Sequence, residues 1–111
     1  MKLNIKDEPR VFEVGEKKMR DYGKIELLPQ EMVSIVSISS RECDITATEW
    51  GFYLGSSINS RMREEGFKVA LVKNQSGKIF VNAVEDDKTE LFDKYLVDQK
   101  SEIIMWLDKE L

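Results

Sequence analysis

Hydrophobic and polar residues alternate through the first half of the chain. Lys2-Leu3-Asn4-Ile5-Lys6 reads polar, apolar, polar, apolar, polar, the two-residue period of a half-buried strand. Asp7-Glu8-Pro9 is expected to break it. Val11, Phe12 and Val14 predict a second strand that ends near Gly15, and the charged stretch 16–23 reads as a loop. Residues 24–28 predict a third short strand, stopped by Pro29. Segments 31–39 and 43–48, rich in β-branched residues, predict a hairpin around Ser39-Ser40-Arg41.

The second half mixes periods. Ser56 or Ser57 can cap a helix over about 56–65, with Ile58 and Met62 on one face and Gly66 as its stop. FKVALVK and KIFVNAV flank Asn74-Gln75-Ser76-Gly77, which predicts a C-terminal hairpin over 67–84. Its Val69, Leu71, Ile79, Val81 and Val84 are expected to be largely buried. Asp86 or Asp87 can cap a second helix over about 87–97, with Leu91, Phe92, Tyr95 and Leu96 at helical spacing. Residues 101–107 fit either a buried strand or more helix, and Ile-Ile-Met-Trp favours the strand. The fold class expected is α+β: mainly antiparallel sheet with an inserted helix, in a single domain spanning 1–111.

Composition changes this picture chiefly by exclusion. The chain has 111 residues, 41% of them hydrophobic, which suits one modest core. Seventeen basic and 21 acidic residues leave a formal charge of −4, which argues against nucleic acid as a partner. No apolar run has the length of a membrane span, and MKLNIKDEPR has no signal-like apolar stretch, so the expected location is cytoplasmic. The absence of histidine removes the commonest general base and metal ligand, and one cysteine leaves no internal disulfide. No metal or other cofactor is expected, and the composition leans away from an enzyme. Cys43 reads as a small apolar filler, since no histidine stands by to activate it. Glu42 with Asp44, Glu64-Glu65 and Glu85-Asp86-Asp87 could in principle do acid–base work, but the last group reads more simply as a helix cap. The basic runs at Lys17-Lys18-Met19-Arg20 and Arg61-Met62-Arg63 have acidic neighbours and read as solvated surface.

The most unusual local sequence runs from Glu49 to Arg61. Three aromatics fall within four positions, with Gly51 among them and Gly55 just after, followed by short polar residues and an arginine. Trp50 and Tyr53 can stack on the apolar face of a sugar or planar group. Ser57 and Asn59 can supply directed hydrogen bonds, and Arg61 can clamp phosphate or carboxylate. The same segment also reads as a buried aromatic strand that enters a helix through a glycine turn, with the serines as caps.

Trp50-Gly51-Phe52-Tyr53, then Ser57-Ile58-Asn59-Ser60-Arg61, Gly66-Phe67-Lys68-Val69-Ala70-Leu71-Val72 and a closing Trp106-Leu107-Asp108 together resemble a group of small bacterial proteins. These share a WGFY…S-[IL]-N…GF-K-x-A-L-V pattern, and the resemblance spans residues 22–108. It implies a setting among genes for surface-polysaccharide or nucleotide-sugar synthesis and carries over no catalytic residue. The leading expectation is thus a non-catalytic binding or accessory protein of glycan and nucleotide-sugar metabolism. Its partner would be a sugar-like ligand or a glycan-synthesis enzyme, met through the 50–61 segment. The alternatives are a structural, oligomerising protein and a small enzyme working through carboxylates or tyrosine. Ten aromatics and open sheet edges in so small a chain predict a homodimer.

Overall fold

The computed structural model describes residues 1–109. The protein is α+β and mostly antiparallel, but its strands divide among three sheets. The elements are β1 (Lys2–Val14), β2 (Lys17–Glu26), β3 (Met32–Val36), β4 (Glu42–Thr48), β5 (Gly51–Leu54), α1 (Arg61–Glu64), β6 (Phe67–Lys73), β7 (Ile79–Glu85), α2 (Thr89–Gln99) and β8 (Glu102–Trp106). Strands β1 and β2 form a ribbon of their own. The second sheet runs β3-β4-β5 and the third β7-β6-β8.

The ribbon joins the strands expected over 2–6 and 11–14 into one, β1, and extends the strand expected over 24–28 back to Lys17 as β2. Asp7-Glu8-Pro9 does not end a strand: it sits in an irregularity between Ile5 and Arg10, and β1 continues through it. The charged stretch 16–23 is mostly strand β2 rather than loop. Both faces of the ribbon meet solvent, so its charged residues can occupy strand positions at little cost. The two-residue link Gly15-Glu16 joins Val14 to its partner Lys17. Gly15 has φ of 61°, the positive value that a tight hairpin turn takes at its first central residue.

The core lies around β6, which is covered on both faces. On one side Ala70 and Val72 pack against Leu96 of α2, with Phe92, Ile103 and Trp106 around them. On the other, Phe67 and Val69 pack against Met62 of α1, with Cys43, Ile58 and Leu107. The alternation of β6 assigns these two sets to opposite faces. Strands β7 and β8 both pair antiparallel to β6, and α2 carries the chain from one edge of that sheet to the other. Residues 101–107 thus contain the strand β8, at Glu102–Trp106.

Three expectations of detail need correction. The helix expected over 56–65 is a single turn, Arg61–Glu64. Ser56 donates its hydroxyl hydrogen to Asp44 instead of starting the helix, and the Ser-Asn-Ser run has low helical propensity. The second helix begins at Thr89, and Asp86 and Asp87 do not cap it. Each lies about 3 Å from a guanidinium nitrogen of Arg41, at 2.9 and 3.1 Å. Finally, Val69 and Val84 are buried and Leu71 half-buried, but Ile79 and Val81 remain 59% and 60% exposed. The reason is geometric. A one-turn helix covers the Phe67–Val69 end of its sheet face and leaves the Leu71–Val81 end open.

Candidate functional site

The 50–61 segment begins at a tight hairpin. Glu49-Trp50 link Thr48 to Gly51, and the Thr48 hydroxyl donates to the Gly51 carbonyl at 3.1 Å. Trp50 stands at this turn rather than in a strand. Its ring meets Tyr53 edge-on, with centroids 5.1 Å apart and planes at 78°. Edge-to-face is a favoured geometry for such pairs. Trp50 is 69% exposed and Tyr53 55% exposed, so this pair is not part of the core. Phe52 and Leu54, on the other side of β5, are exposed as well. β5 is also the outer strand of its sheet, with one backbone edge unpaired by β4.

After β5 the chain must turn sharply toward α1. Gly55 is buried with φ of 102°, and a Cβ there would lie 2.8 Å from Met62 Sδ. Only a residue without a side chain fits both constraints. The polar part of the segment then converges on Asp44. This carboxylate is buried and accepts hydrogen bonds from Ser56 Oγ at 2.7 Å, Ser34 Oγ at 2.8 Å and Arg61 Nε at 3.4 Å. Arg61 also lies 3.3 Å from Glu65, whose other oxygen accepts the Glu42 backbone N–H at 2.8 Å. The hydrogen bonds from Ser56 and Ser34 and the Arg61 guanidinium hold the Asp44 carboxyl below its usual pKa, against the opposing effect of burial.

Of the five residues expected to form a site, the structure joins two pairs. Trp50 touches Tyr53, and Ser57 Oγ accepts the Arg61 backbone N–H at 2.9 Å. Arg61 is committed to Asp44 and Glu65, so its guanidinium works as a tie between α1 and β4. Asn59 is exposed, beside the ring pair in sequence but in the turn that precedes α1. Tyr53 pairs in register with Thr46, which shares its face of β4 with Asp44. The ring pair and the Asp44 cluster therefore belong to one sheet face. Two open concavities adjoin the ribbon. One of 350 Å³ is lined by Asn4, Lys6, Arg10, Asp21, Gly23 and Lys24; the other, of 580 Å³, includes Phe52 from this segment.

A second polar cluster had no local signal. Arg41, in the β3–β4 loop, donates to the Gly66 carbonyl at 2.7 Å and lies 3.3 Å from Glu85, besides its contacts with Asp86 and Asp87. Lys88 bridges Ser39 and Glu85 at 2.7 and 3.2 Å. Burial would raise the pKa of Glu85, but Lys88, Ser39 and Arg41 bring it below its ordinary value. The cluster clasps the second sheet to the third. Two cations tied to three carboxylates across the sheets serve attachment better than proton transfer. Cys43 packs beside Met62, and burial together with Asp44 pushes its thiol pKa up, away from the reactive thiolate. Among the described residues no group of three His, Cys, Asp or Glu side chains is placed to hold a metal ion, and no helix is long and apolar enough to cross a membrane. Comparison with protein families, curated proteins and solved structures returned no match.

Proposed function

We propose that this chain is a non-catalytic binding protein whose working surface is the aromatic edge formed by Trp50 and strand β5. The observation that carries this reading is the exposure of Trp50 and Tyr53 as an ordered edge-on pair at a tight turn on an outer strand. Four large apolar side chains in five positions stay in water there, which costs solubility unless something covers them. The ligand class proposed is sugar-like, because a sugar ring offers an apolar face to such a pair and hydroxyls to the polar groups around it. The glycan and nucleotide-sugar setting, with a synthetic enzyme as the other partner, rests on the resemblance of residues 22–108, and the cytoplasm is the location proposed with it. Enzymatic work by carboxylates is disfavoured: Asp44 and Glu85 are both stabilised in their charged forms, opposite to what a general acid needs.

Arg61 changes role in this reading. It fastens the α1 turn to β4 and does not contact the ligand. The test is calorimetric titration of the full chain with UDP-glucose, UDP-N-acetylglucosamine and a neutral disaccharide. Saturable binding that Trp50→Ala and Tyr53→Ala each weaken at least tenfold supports the proposal. Absence of binding to all three at millimolar concentration, or binding that neither substitution alters, overturns the ligand class.

A further inference from the structure

The irregularity in the β1–β2 ribbon gathers cations. Ile5 pairs with Gly23 and Arg10 with Asp21, so residues 6–9 stand against Tyr22 alone. Pro9 has no N–H to give to a ladder, which suits this break. On the other strand Gly23 has φ of 122°, and a Cβ there would run into the Asn4 carbonyl. Strict alternation would send Asp21 and Lys24 to opposite faces of β2. The bulge and the glycine break that alternation, and bulges re-aim side chains in this way. Asn4, Lys6, Arg10, Asp21, Gly23 and Lys24 thereby line one open concavity of 350 Å³.

The charges in that concavity do not balance. Asp21 is engaged on both oxygens: one accepts the Gly23 N–H at 3.0 Å and the other accepts Arg10 Nη2 at 3.1 Å. The Gly23 N–H, then Arg10, hold its carboxyl below the usual range, and the charge of Lys6 adds to the effect. Arg10 also lies 4.9 Å over the Phe12 ring, so its guanidinium is fixed from two sides with N–H donors to spare. Among the described residues neither Lys6 nor Lys24 pairs with a carboxylate: the ion pairs of the ribbon join Lys2 to Glu26 and Arg10 to Asp21. Asp7 and Glu8, the carboxylates of the bulge, do not line the concavity. Three cations against one carboxylate leave a local charge of +2 in a chain whose formal charge is −4.

The imbalance selects the ligand. Two unpaired lysines beside a guanidinium already fixed in place suit a compact, multiply charged oxyanion. A phosphate group presents roughly two negative charges and three acceptor oxygens. The negative charge of the rest of the chain disfavours an extended polyanion, which would meet more than this one concavity. We propose that the concavity binds the phosphate group of a small phosphorylated molecule, with Lys6, Lys24 and Arg10 as its cationic contacts and Asp21 as the residue that positions Arg10. Neither Trp50 nor any residue of β5 lines it, so this site is independent of the ligand proposed for the aromatic edge.

The test is calorimetric titration of the full chain with pyrophosphate at low ionic strength. Saturable binding is expected, and Lys6→Gln/Lys24→Gln should weaken it at least tenfold. Lys18→Gln/Arg20→Gln removes the same charge from β2 outside the concavity and should leave the affinity within about threefold. Absence of saturable binding at millimolar pyrophosphate, or equal weakening by the two pairs of substitutions, overturns the proposal. Trp50→Ala should leave pyrophosphate binding unchanged; a loss as large as that from the lysine pair overturns the placement of the site. Amide chemical shifts of the wild type give a measurement that needs no variant. On titration they should move within 4–10 and 21–24, and movement confined to other segments overturns the assignment. Phosphatidylglycerol vesicles supply the other source of phosphate. The chain should not sediment with them, and sedimentation that Lys6→Gln/Lys24→Gln abolishes overturns the choice of a small ligand.

Discussion

Asp44 gives the sharpest test of how the polar face is held together. The carboxylate is buried and accepts two hydroxyl hydrogen bonds and one from a guanidinium. Asp44→Asn keeps the shape, can still accept a hydroxyl through its amide oxygen, and loses the charge. One charge-assisted bond is lost, and an N–H₂ group placed at the Oδ2 position can donate to a turned Ser56 hydroxyl but meets only donors in the Arg61 guanidinium. Loss of a hydrogen bond to a charged group costs about 1.5–3 kcal/mol. For a chain of this length that is a fall in Tm of roughly 6–13 °C. The pH dependence adds an independent arm. The folded-state pKa of Asp44 is depressed, chiefly by Ser56 and Ser34, so its stabilising contribution is full above the unfolded value near ~3.9 and is lost as pH falls through the folded value. Urea unfolding followed by tryptophan emission at pH 7 and at acid pH should therefore show a gap between wild type and Asp44→Asn that narrows in acid. Equal stability at pH 7, or a gap of constant size down to the lowest pH, would refute the reasoning.

The same structure makes three further claims on stability and reactivity. Val81→Ala should change stability by less than ~0.5 kcal/mol because its side chain is in water, whereas Val72→Ala, against α2, should cost ~1–3 kcal/mol; denaturant midpoints decide between them. Gly55→Ala should lower Tm markedly, since it combines a strained positive φ with a clash at Met62 Sδ, and an unchanged melt would show that the turn relaxes freely. Cys43 should react with a thiol reagent at pH 8 far more slowly than a free thiol and reach the free rate in urea, because burial and Asp44 both raise its pKa; rapid labelling of the folded protein would contradict its placement.

Sequence alone was enough for the class of fold and for the parts in which one face of an element is buried. Leu91, Phe92, Tyr95 and Leu96 at helical spacing marked α2, of which Leu96 and Phe92 pack on β6 while Leu91 and Tyr95 stay exposed, and the apolar run of β6 suits a strand covered on both faces. The absence of histidine excludes imidazole as a base or metal ligand. Tertiary structure decided the rest. Residues 16–23 read as loop because a strand wetted on both faces needs no regular apolar alternation. Arg61 resembled a ligand clamp until Asp44, 17 residues away, took up its guanidinium, and Asp86 resembled a cap until Arg41, 45 residues away, claimed it. Val81 and Val84 have equal claims to burial by composition, yet one is open and the other closed. Periodicity records which faces of an element are apolar. Which of those faces is covered depends on the length and position of a neighbour brought there by folding, and here a helix of one turn reached Val69 and left Val81 in water.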